Sequence, residues 1–365
     1  MILHFYFARR FMIIFAALMA VMFSLIVLVD LVDQTRTFGA LNIGFAQILT
    51  LTFLNAPAML NQIMPLIVIL TTVALFIALA RSSELVVTRA AGRSGLSIMT
   101  APVVLTLLIG VLSATVLNPL ISATSKKYEE MAEAYRTGGA STLSISQQGL
   151  WLRQGDTDSQ TVINARRSNS DGSVLYDVLF VQLQPNVGAI RRVSADSATL
   201  QSDGWMLANV KEWPLTKGIN PEASSATFDQ LLVSSTLTIE RIRNSLGRPN
   251  AISIWDLPEF ITQLDQAGFS SRKHRVYFQA QLARPLFLTA MVLVAAAFTM
   301  RHARFGGTGI AVLSAILSGF ALYFIRSFAQ ILGENSQIPI VLAAWAPPVA
   351  AVCLGLGLLL HAEDG

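Results

Sequence analysis

Long uncharged apolar stretches at both ends of the chain predict membrane-spanning helices. A helix needs about 20 apolar residues to cross the hydrocarbon core, where a charged side chain is costly. Six stretches approach that length, and only the fourth and fifth contain an arginine. They are Phe11–Val29, Pro57–Ala80, Leu96–Leu117, Val276–Met300, Thr308–Leu332 and Ile338–Leu360. The pattern predicts six spans, three on each side of a polar interval.

The polar interval between the third and fourth spans has a different apolar period. A short charged helix at Ser125–Arg136 precedes runs of β-branched and aromatic residues that are separated by turn residues, as in strands. These runs are Leu150–Leu152, Thr161–Ile163, Val174–Leu183, Ala189–Val193 and Met206–Trp213. Many short strands predict a β-sandwich or jelly roll. Its interior is either a packed core, which composition favours, or an apolar trough for a lipid.

These patterns predict four segments. Residues 1–124 hold spans one to three, residues 125–250 the β-domain, residues 251–275 a connector helix and residues 276–365 spans four to six. The connector follows Ser253, repeats apolar residues at helical spacing and ends at Gly268. The fold class is therefore a membrane α-helical protein of six transmembrane helices with an inserted extracytoplasmic β-jelly-roll domain.

The placement of basic residues predicts the orientation in the membrane. Arg36 is the single basic residue in the short loops on one side of the predicted spans. On the other side are Arg9, Arg10, Arg81, Arg89, Arg93, Arg301 and Arg304. The positive-inside rule therefore predicts cytoplasmic termini and a β-domain outside, in the periplasm of an organism with two membranes. The first stretch is long for a signal peptide and has no cleavage pattern after it, so an uncleaved span is favoured.

Composition excludes an ordinary soluble globule. Apolar residues make up 53% of the chain and charged residues 13%, against about a quarter charged in soluble domains. Outside residues 118–275 there are 10 basic and 6 acidic residues, so the net charge of +4 belongs to the apolar portion. Basic residues that border apolar spans indicate membrane topology and not nucleic-acid binding. The single cysteine, Cys353, excludes an intrachain disulfide.

The sequence lacks the usual motifs of catalysis and of metal or cofactor binding. It has no G-x-x-x-x-G-K-[ST] nucleotide loop, and its four histidines have no metal-ligand spacing. The fragment Gly92–Gly95 resembles the serine motif of rhomboid intramembrane proteases, but Ser94 has no histidine base in a suitable span. We therefore expect a protein that is not an enzyme and has no cofactor or metal.

The loop between spans two and three predicts a short helix at Arg81–Gly92. It has a serine near its start, Glu84 in its first turn and a terminal glycine, and Leu85 and Arg89 share one side. Two interpretations remain open, a helix that lies on the lipid headgroups and a helix that docks a cytoplasmic partner. The acid slightly favours docking, because anionic lipid would repel it.

Two motifs and the overall layout resemble the lipopolysaccharide-export permease family LptF/LptG, and its LptG type in particular. The motifs are Arg81–Arg93 and Ser141–Trp151, and the layout is three spans, a β-domain and three spans. The resemblance implies one permease subunit of an ABC exporter in a Gram-negative inner membrane. It implies an LptF-like permease, an LptB-like ATPase dimer that hydrolyses ATP, LptC- and LptA-like periplasmic bridge proteins, and lipopolysaccharide as partners. Residues 81–93 would be the coupling helix, with Glu84, Leu85 and Arg89 in ATPase coupling.

Charged residues near the outer ends of the spans are candidates for function, since such groups are rare in membranes. The resemblance implies a cavity for lipid A at this level, and we expect Arg36, Arg326 and Arg284 to meet its phosphates. Asp30 would repel a phosphate, so we expect it to pair with Arg326 or with an arginine of the partner subunit. Alternatively, Asp30 or Asp33 pairs with another arginine, or Arg284 extends to the headgroups.

Two other functions fit the sequence. One is a permease of another ABC lipid or lipoprotein release system, where four spans per subunit are usual. The other is a membrane scaffold that presents the β-domain and transports nothing, which predicts no coupling to an ATPase.

Overall fold

The computed structural model describes thirteen stretches of the chain, which form two compact units. One unit comprises Met1–Tyr128 with Arg272–Gly365, and the other comprises Glu129–Ser271. The described stretches are residues 2–41, 43–90, 92, 94–137, 142–146, 149–155, 160–169, 172–184, 187–201, 203–215, 220–235, 248–300 and 308–364.

Ten α-helices lie in the described residues. They are α1 (Ile2–Phe38), α2 (Phe45–Arg81), α3 (Glu84–Ala90), α4 (Gly95–Leu112), α5 (Asn118–Thr137), α6 (Leu257–Gln266), α7 (Arg272–Leu282), α8 (Arg284–Thr299), α9 (Thr308–Glu334) and α10 (Ile340–Asp364). A π-helical segment, Ser113–Leu117, joins α4 to α5. Five continuous helical stretches are long and apolar enough to cross a membrane, and α7 with α8 forms a sixth that is bent by 50°. The predicted set of membrane helices is confirmed, and the fourth span is a broken helix.

Helix α8 forms the centre of the helical unit. Its residues are almost all buried, and it packs against α2, α4, α9 and α10. A helix that is apolar on every side is stable only when other helices or lipid cover every side. In contrast, only 11% of the most apolar 18-residue segment of α1 is buried within the chain, and the same fraction is buried in α9. These two helices therefore present broad apolar faces outside their own unit.

The break before α8 follows from Pro285. Proline has no N–H to donate, and its ring clashes with the preceding turn, so it favours the start of a helix and kinks or breaks a helix elsewhere. Helix α4 passes this break at very close range. A Cβ atom placed on Gly110 would lie 2.5 Å from the Cα atom of Pro285. A glycine is therefore required where α4 crosses the broken span.

The other unit contains one antiparallel sheet of seven strands. The strands are β1 (Thr142–Ser146), β2 (Gly149–Gly155), β3 (Gln160–Ser168), β4 (Val174–Gln184), β5 (Gly188–Gln201), β6 (Gly204–Pro214) and β7 (Ala226–Ser234). Alternate side chains such as Leu207 and the fully buried Trp205 face one side. Leu264 of α6 and the following Phe269 join the same cluster. The interior is thus a packed core.

The strand order gives the connectivity of the predicted β-domain. The inserted β-domain is present, but each described strand pairs with its neighbours in sequence, from β1 to β7, without Greek-key crossovers. Short connections favour this result, because a tight turn can join only adjacent antiparallel strands. The sheet nevertheless rolls on itself, since the hydroxyl of Ser235, after β7, donates to Gln154 Oε1 in β2 at 2.5 Å.

We predict that Gly110→Val destabilises the helical unit, because its side chain would overlap the backbone of Pro285. Overpacking of this kind costs about 1–3 kcal/mol. The matched control is Gly357→Val in α10, where an added Cβ meets nothing within 4 Å. Thermal unfolding of the detergent-purified variants should show a lower midpoint for Gly110→Val only. Equal midpoints for the two variants would contradict the close approach of α4 to Pro285.

Candidate functional site

Arg284, at the broken span, is bound inside the helical unit. It is 5% exposed, and its Nη1 donates to Gln281 Oε1 at 3.3 Å. Its Nη2 donates to the backbone oxygen of Asn61 in α2. That oxygen would accept from the residue four positions later, but this residue is Pro65, which has no N–H. Arg284 supplies the donor that the proline lacks.

Asn61 also connects the π-helical segment to this point. Its side-chain Oδ1 accepts from the hydroxyl of Ser113, the first residue of that segment, at 3.0 Å. Asn61 therefore joins α2, the α4–α5 junction and α8. Arg284 does not extend to the surface. This predicted lipid-binding candidate is buried within the protein.

Arg326 of α9 lies near the same level as Arg284. Its Cζ atom is 4.8 Å from the ring centroid of Phe287, a distance typical of a cation–π contact. Phe287 is three positions after Arg284 and so lies on the same side of α8. Among the described residues neither arginine forms an ion pair with a carboxylate, and Arg284 Nε has no hydrogen-bond partner there. Two guanidinium groups without an acid form an environment that favours an anion.

Asp30 lies in a network of amide groups and not beside an arginine. It is 3% exposed, and its Oδ1 accepts from Asn55 Nδ2 at 2.9 Å and from Gln34 Nε2 at 3.4 Å. The same Gln34 nitrogen is 2.9 Å from the hydroxyl of Tyr128. Within the described part of the chain, Asp30 Oδ2 has no hydrogen-bond partner.

The expected pair of Asp30 with Arg326 is not formed within this chain. Helix α1, which carries Asp30, packs along α2 and α4, whereas α9 packs on α2, α7, α8 and α10. The two side chains thus belong to different helix contacts. Asp33 and Arg36, at the same end of α1, are exposed.

At the other end of α1, Arg10 holds the carboxylate of Glu84. Arg10 Nη1 donates to Glu84 Oε1 at 2.8 Å and to Oε2 at 2.9 Å, and Ser82 Oγ donates to Oε1 at 2.7 Å. Burial alone would raise the pKa of Glu84, but the hydrogen bonds from Ser82 and Arg10 bring it below its usual range. Glu84 is therefore ionised at neutral pH. Because the pKa of Glu84 is lowered in the folded state, its hydrogen bonds to Arg10 and Ser82 stabilise the folded protein at neutral pH. This stabilisation is lost as the pH falls through the pKa of Glu84 in the folded state.

Helix α3 has one buried and one exposed side. Leu85 is 4% exposed and belongs to the core of the helical unit, while Val86 and Val87 are 52% and 67% exposed. The side chain of Arg89 lies outside the described residues. The two exposed valines were missed by the sequence analysis, although adjacent β-branched residues in a polar loop were a usable signal.

Ser94 has a structural explanation. Its Oγ accepts from the backbone N–H of Ser97 at 3.2 Å and so caps the N-terminus of α4. No group of three or more histidine, cysteine, aspartate or glutamate side chains in the described residues could hold a metal ion.

The spans, the inserted sheet and the buried polar groups define a polytopic membrane protein with a β-domain between two sets of helices. The sequence model of the family described as "Lipopolysaccharide export system permease LptF/LptG" matches residues 5–361, and the chain belongs to this family. It is 25% identical over 358 residues to the lipopolysaccharide export system permease protein LptG of Haemophilus influenzae, covering 96% of each chain. It is 26% identical over 369 residues to LptG of Escherichia coli K12, covering 95% of this chain and 96% of the relative.

We predict that Arg284→Met lowers the stability of the purified protein. The substitution keeps much of the side-chain volume but leaves the Asn61 oxygen without a donor, at a cost of about 1–3 kcal/mol. Arg36→Met is the matched control, because Arg36 is exposed. A thermal midpoint that falls for Arg284→Met and not for Arg36→Met is the expected result. An unchanged midpoint for Arg284→Met would show that the Asn61 contact does not stabilise the fold.

Proposed function

We propose that the chain is a permease subunit of an ABC exporter that extracts lipopolysaccharide from the outer leaflet of the inner membrane. It would pass the lipid to a periplasmic bridge of β-jelly-roll proteins. The observation that carries this proposal is the LptF/LptG family match over residues 5–361, on a chain with the helices and inserted sheet described above. The number of spans disfavours the lipoprotein-release type of exporter, and the family disfavours a passive scaffold.

The proposed orientation puts Arg10 and α3 at the cytoplasmic surface and Asp30 and Arg36 at the outer one. Arg10 and Asp30 are about 30 Å apart along one helix at 1.5 Å per residue, which equals the hydrocarbon thickness. Both termini are then cytoplasmic, and the β-domain is periplasmic. The predicted division into residues 1–124, 125–250, 251–275 and 276–365 is part of this proposal.

Arg36 and Arg326 are the proposed contacts for lipid phosphates. Arg36 is exposed, and Arg326 is half-buried with no carboxylate partner among the described residues. Both guanidinium groups can therefore bind an anion. A guanidinium presents a planar set of donors that fits phosphate oxygens. Arg284 lies behind Arg326 and adds positive charge while it binds Asn61. Asp30 is already bound by Asn55 and Gln34.

Helix α3 is the proposed contact for an LptB-like ATPase dimer that hydrolyses ATP for the permease. Val86 and Val87 offer an exposed apolar surface beside Glu84, while Leu85 fixes the helix to the core. Glu84, Leu85 and Arg89 keep the coupling roles that the family resemblance implies, and the valines add to them.

The other proposed partners fit the remaining open surfaces. The apolar faces of α1 and α9 suit an LptF-like permease, because lipid-facing helices associate by close packing. Among the described strands, β7 lies at an edge of the sheet, and its side chains are mostly exposed. Edge strands pair readily with further strands, which suits LptC- and LptA-like bridge proteins.

We predict that Val86→Asp combined with Val87→Asp releases the ATPase. Loss of one buried valine contact costs about 1.5–3 kcal/mol, so copurification of the ATPase should fall by about tenfold or more. Val187→Asp is the matched control, an equally exposed valine in the β-domain. Copurification from membranes, followed by quantification of the ATPase, checks the prediction. Undiminished copurification with the double variant would exclude this face of α3.

We predict that Arg36→Gln and Arg326→Gln each weaken lipid binding. A charge-assisted hydrogen bond is worth about 1.5–3 kcal/mol, which corresponds to a loss of roughly tenfold or more. Arg9→Gln, at the opposite end of α1, is the control. The yield of lipopolysaccharide crosslinked to a photoreactive residue at Val32 provides the measurement. Normal yields from both arginine variants would remove the phosphate-binding role.

A further inference from the structure

The contact between Arg10 and Glu84 joins α1 directly to α3, and both of these helices also pack on α2. Helix α3 follows α2 in sequence and packs on it, and Leu85 anchors it in the core. Helix α1 packs along α2 and α4. The guanidinium of Arg10 crosses from α1 to both carboxylate oxygens of Glu84, at 2.8 and 2.9 Å. A movement of α3 would therefore displace α1 at Arg10.

The geometry at Arg10 restricts the direction of that contact. The same Nη1 atom donates to the hydroxyl of Tyr6, one turn earlier on α1, at 2.9 Å. Ser82 donates to Glu84 from the other side at 2.7 Å. Both charged side chains are only about 30% exposed, at 28% and 32%. An ion pair with several fixed donors in a partly buried position is stronger and more directional than an isolated surface pair.

Helix α1 is suited to carry a displacement from one membrane surface to the other. It is continuous from Ile2 to Phe38 and contains neither proline nor glycine. By contrast, α2 contains two prolines, α4 one, and the α7–α8 span is broken. Kinks in helices occur mainly at such residues. The far end of α1 carries Asp30, Gln34 and Arg36.

We propose that Arg10 is a positioning residue that couples α3 to α1, so that α1 transmits movement of the ATPase-binding helix to the lipid-binding end. This inference rests on the proposed function, because it assumes that an ATPase binds α3. The Arg10–Glu84 contact is then needed for transport and not for binding of the ATPase. Leu85 keeps α3 in place when the contact is lost.

The test compares three variants in proteoliposomes that contain the full transporter complex. Arg10→Ala removes the contact, Arg10→Lys keeps a cation with fewer donors, and Arg9→Ala is the matched control on an exposed neighbouring residue. The measured quantities are copurified ATPase, the rate of ATP hydrolysis and the lipopolysaccharide released per ATP hydrolysed. A purely structural defect would lower the amount of complex without changing the lipid released per ATP.

For Arg10→Ala we expect normal copurification and a normal rate of ATP hydrolysis. The lipopolysaccharide released per ATP should fall by roughly fivefold or more, which corresponds to the loss of a modest coupling free energy. Arg10→Lys should restore part of the efficiency, and Arg9→Ala should match the wild type. Unchanged efficiency of Arg10→Ala, or loss of the ATPase from it, would overturn the inference. If the wild-type chain copurifies no ATPase, the proposed function is itself wrong, and the inference falls with it.

Discussion

The helical unit depends on one hydrogen bond that a proline makes necessary. Pro65 deprives the oxygen of Asn61 of its helical donor, and an unpaired carbonyl is costly in a membrane protein because lipid offers no replacement. Arg284 supplies the donor from another span. The long, multiply donating guanidinium can reach a backbone oxygen on a neighbouring helix and retain other contacts. This requirement explains a fully buried cation near the middle of an apolar core.

The same contact lies at the break in the fourth span, which Pro285 causes. Helix α8 begins at Arg284, followed by Pro285, and Gly110 allows α4 to lie directly against that proline. Ser113 binds the side chain of Asn61 where α4 passes into the π-helical segment. Irregular backbone from three spans thus lies at one level, where polar side chains form hydrogen bonds with it or with each other. The regular parts of these helices then pack around α8 mainly through apolar side chains.

Hydropathy predicted the spans and the position of the sheet well, because both depend on patterns local to the sequence. The broken span was not predicted, since Pro285 within an apolar run gives no indication of the neighbour that accommodates it. The partners of Asp30 were also missed, because Asn55 approaches it only after α1 and α2 pack. Charge drew attention to Glu84, whereas the exposed Val86 and Val87 became visible only when the structure showed that Leu85 points inward.

The distance in sequence between Asn61 and its donor has a consequence for biosynthesis. The two residues are 223 positions apart, with the whole sheet encoded between them. At about 5–20 residues per second, a nascent chain carries the unpaired carbonyl for on the order of ten to forty seconds before Arg284 emerges. Each described strand pairs with its neighbours in sequence, so the sheet can form during that interval. The first three spans therefore remain an incomplete bundle in the membrane until translation delivers the fourth.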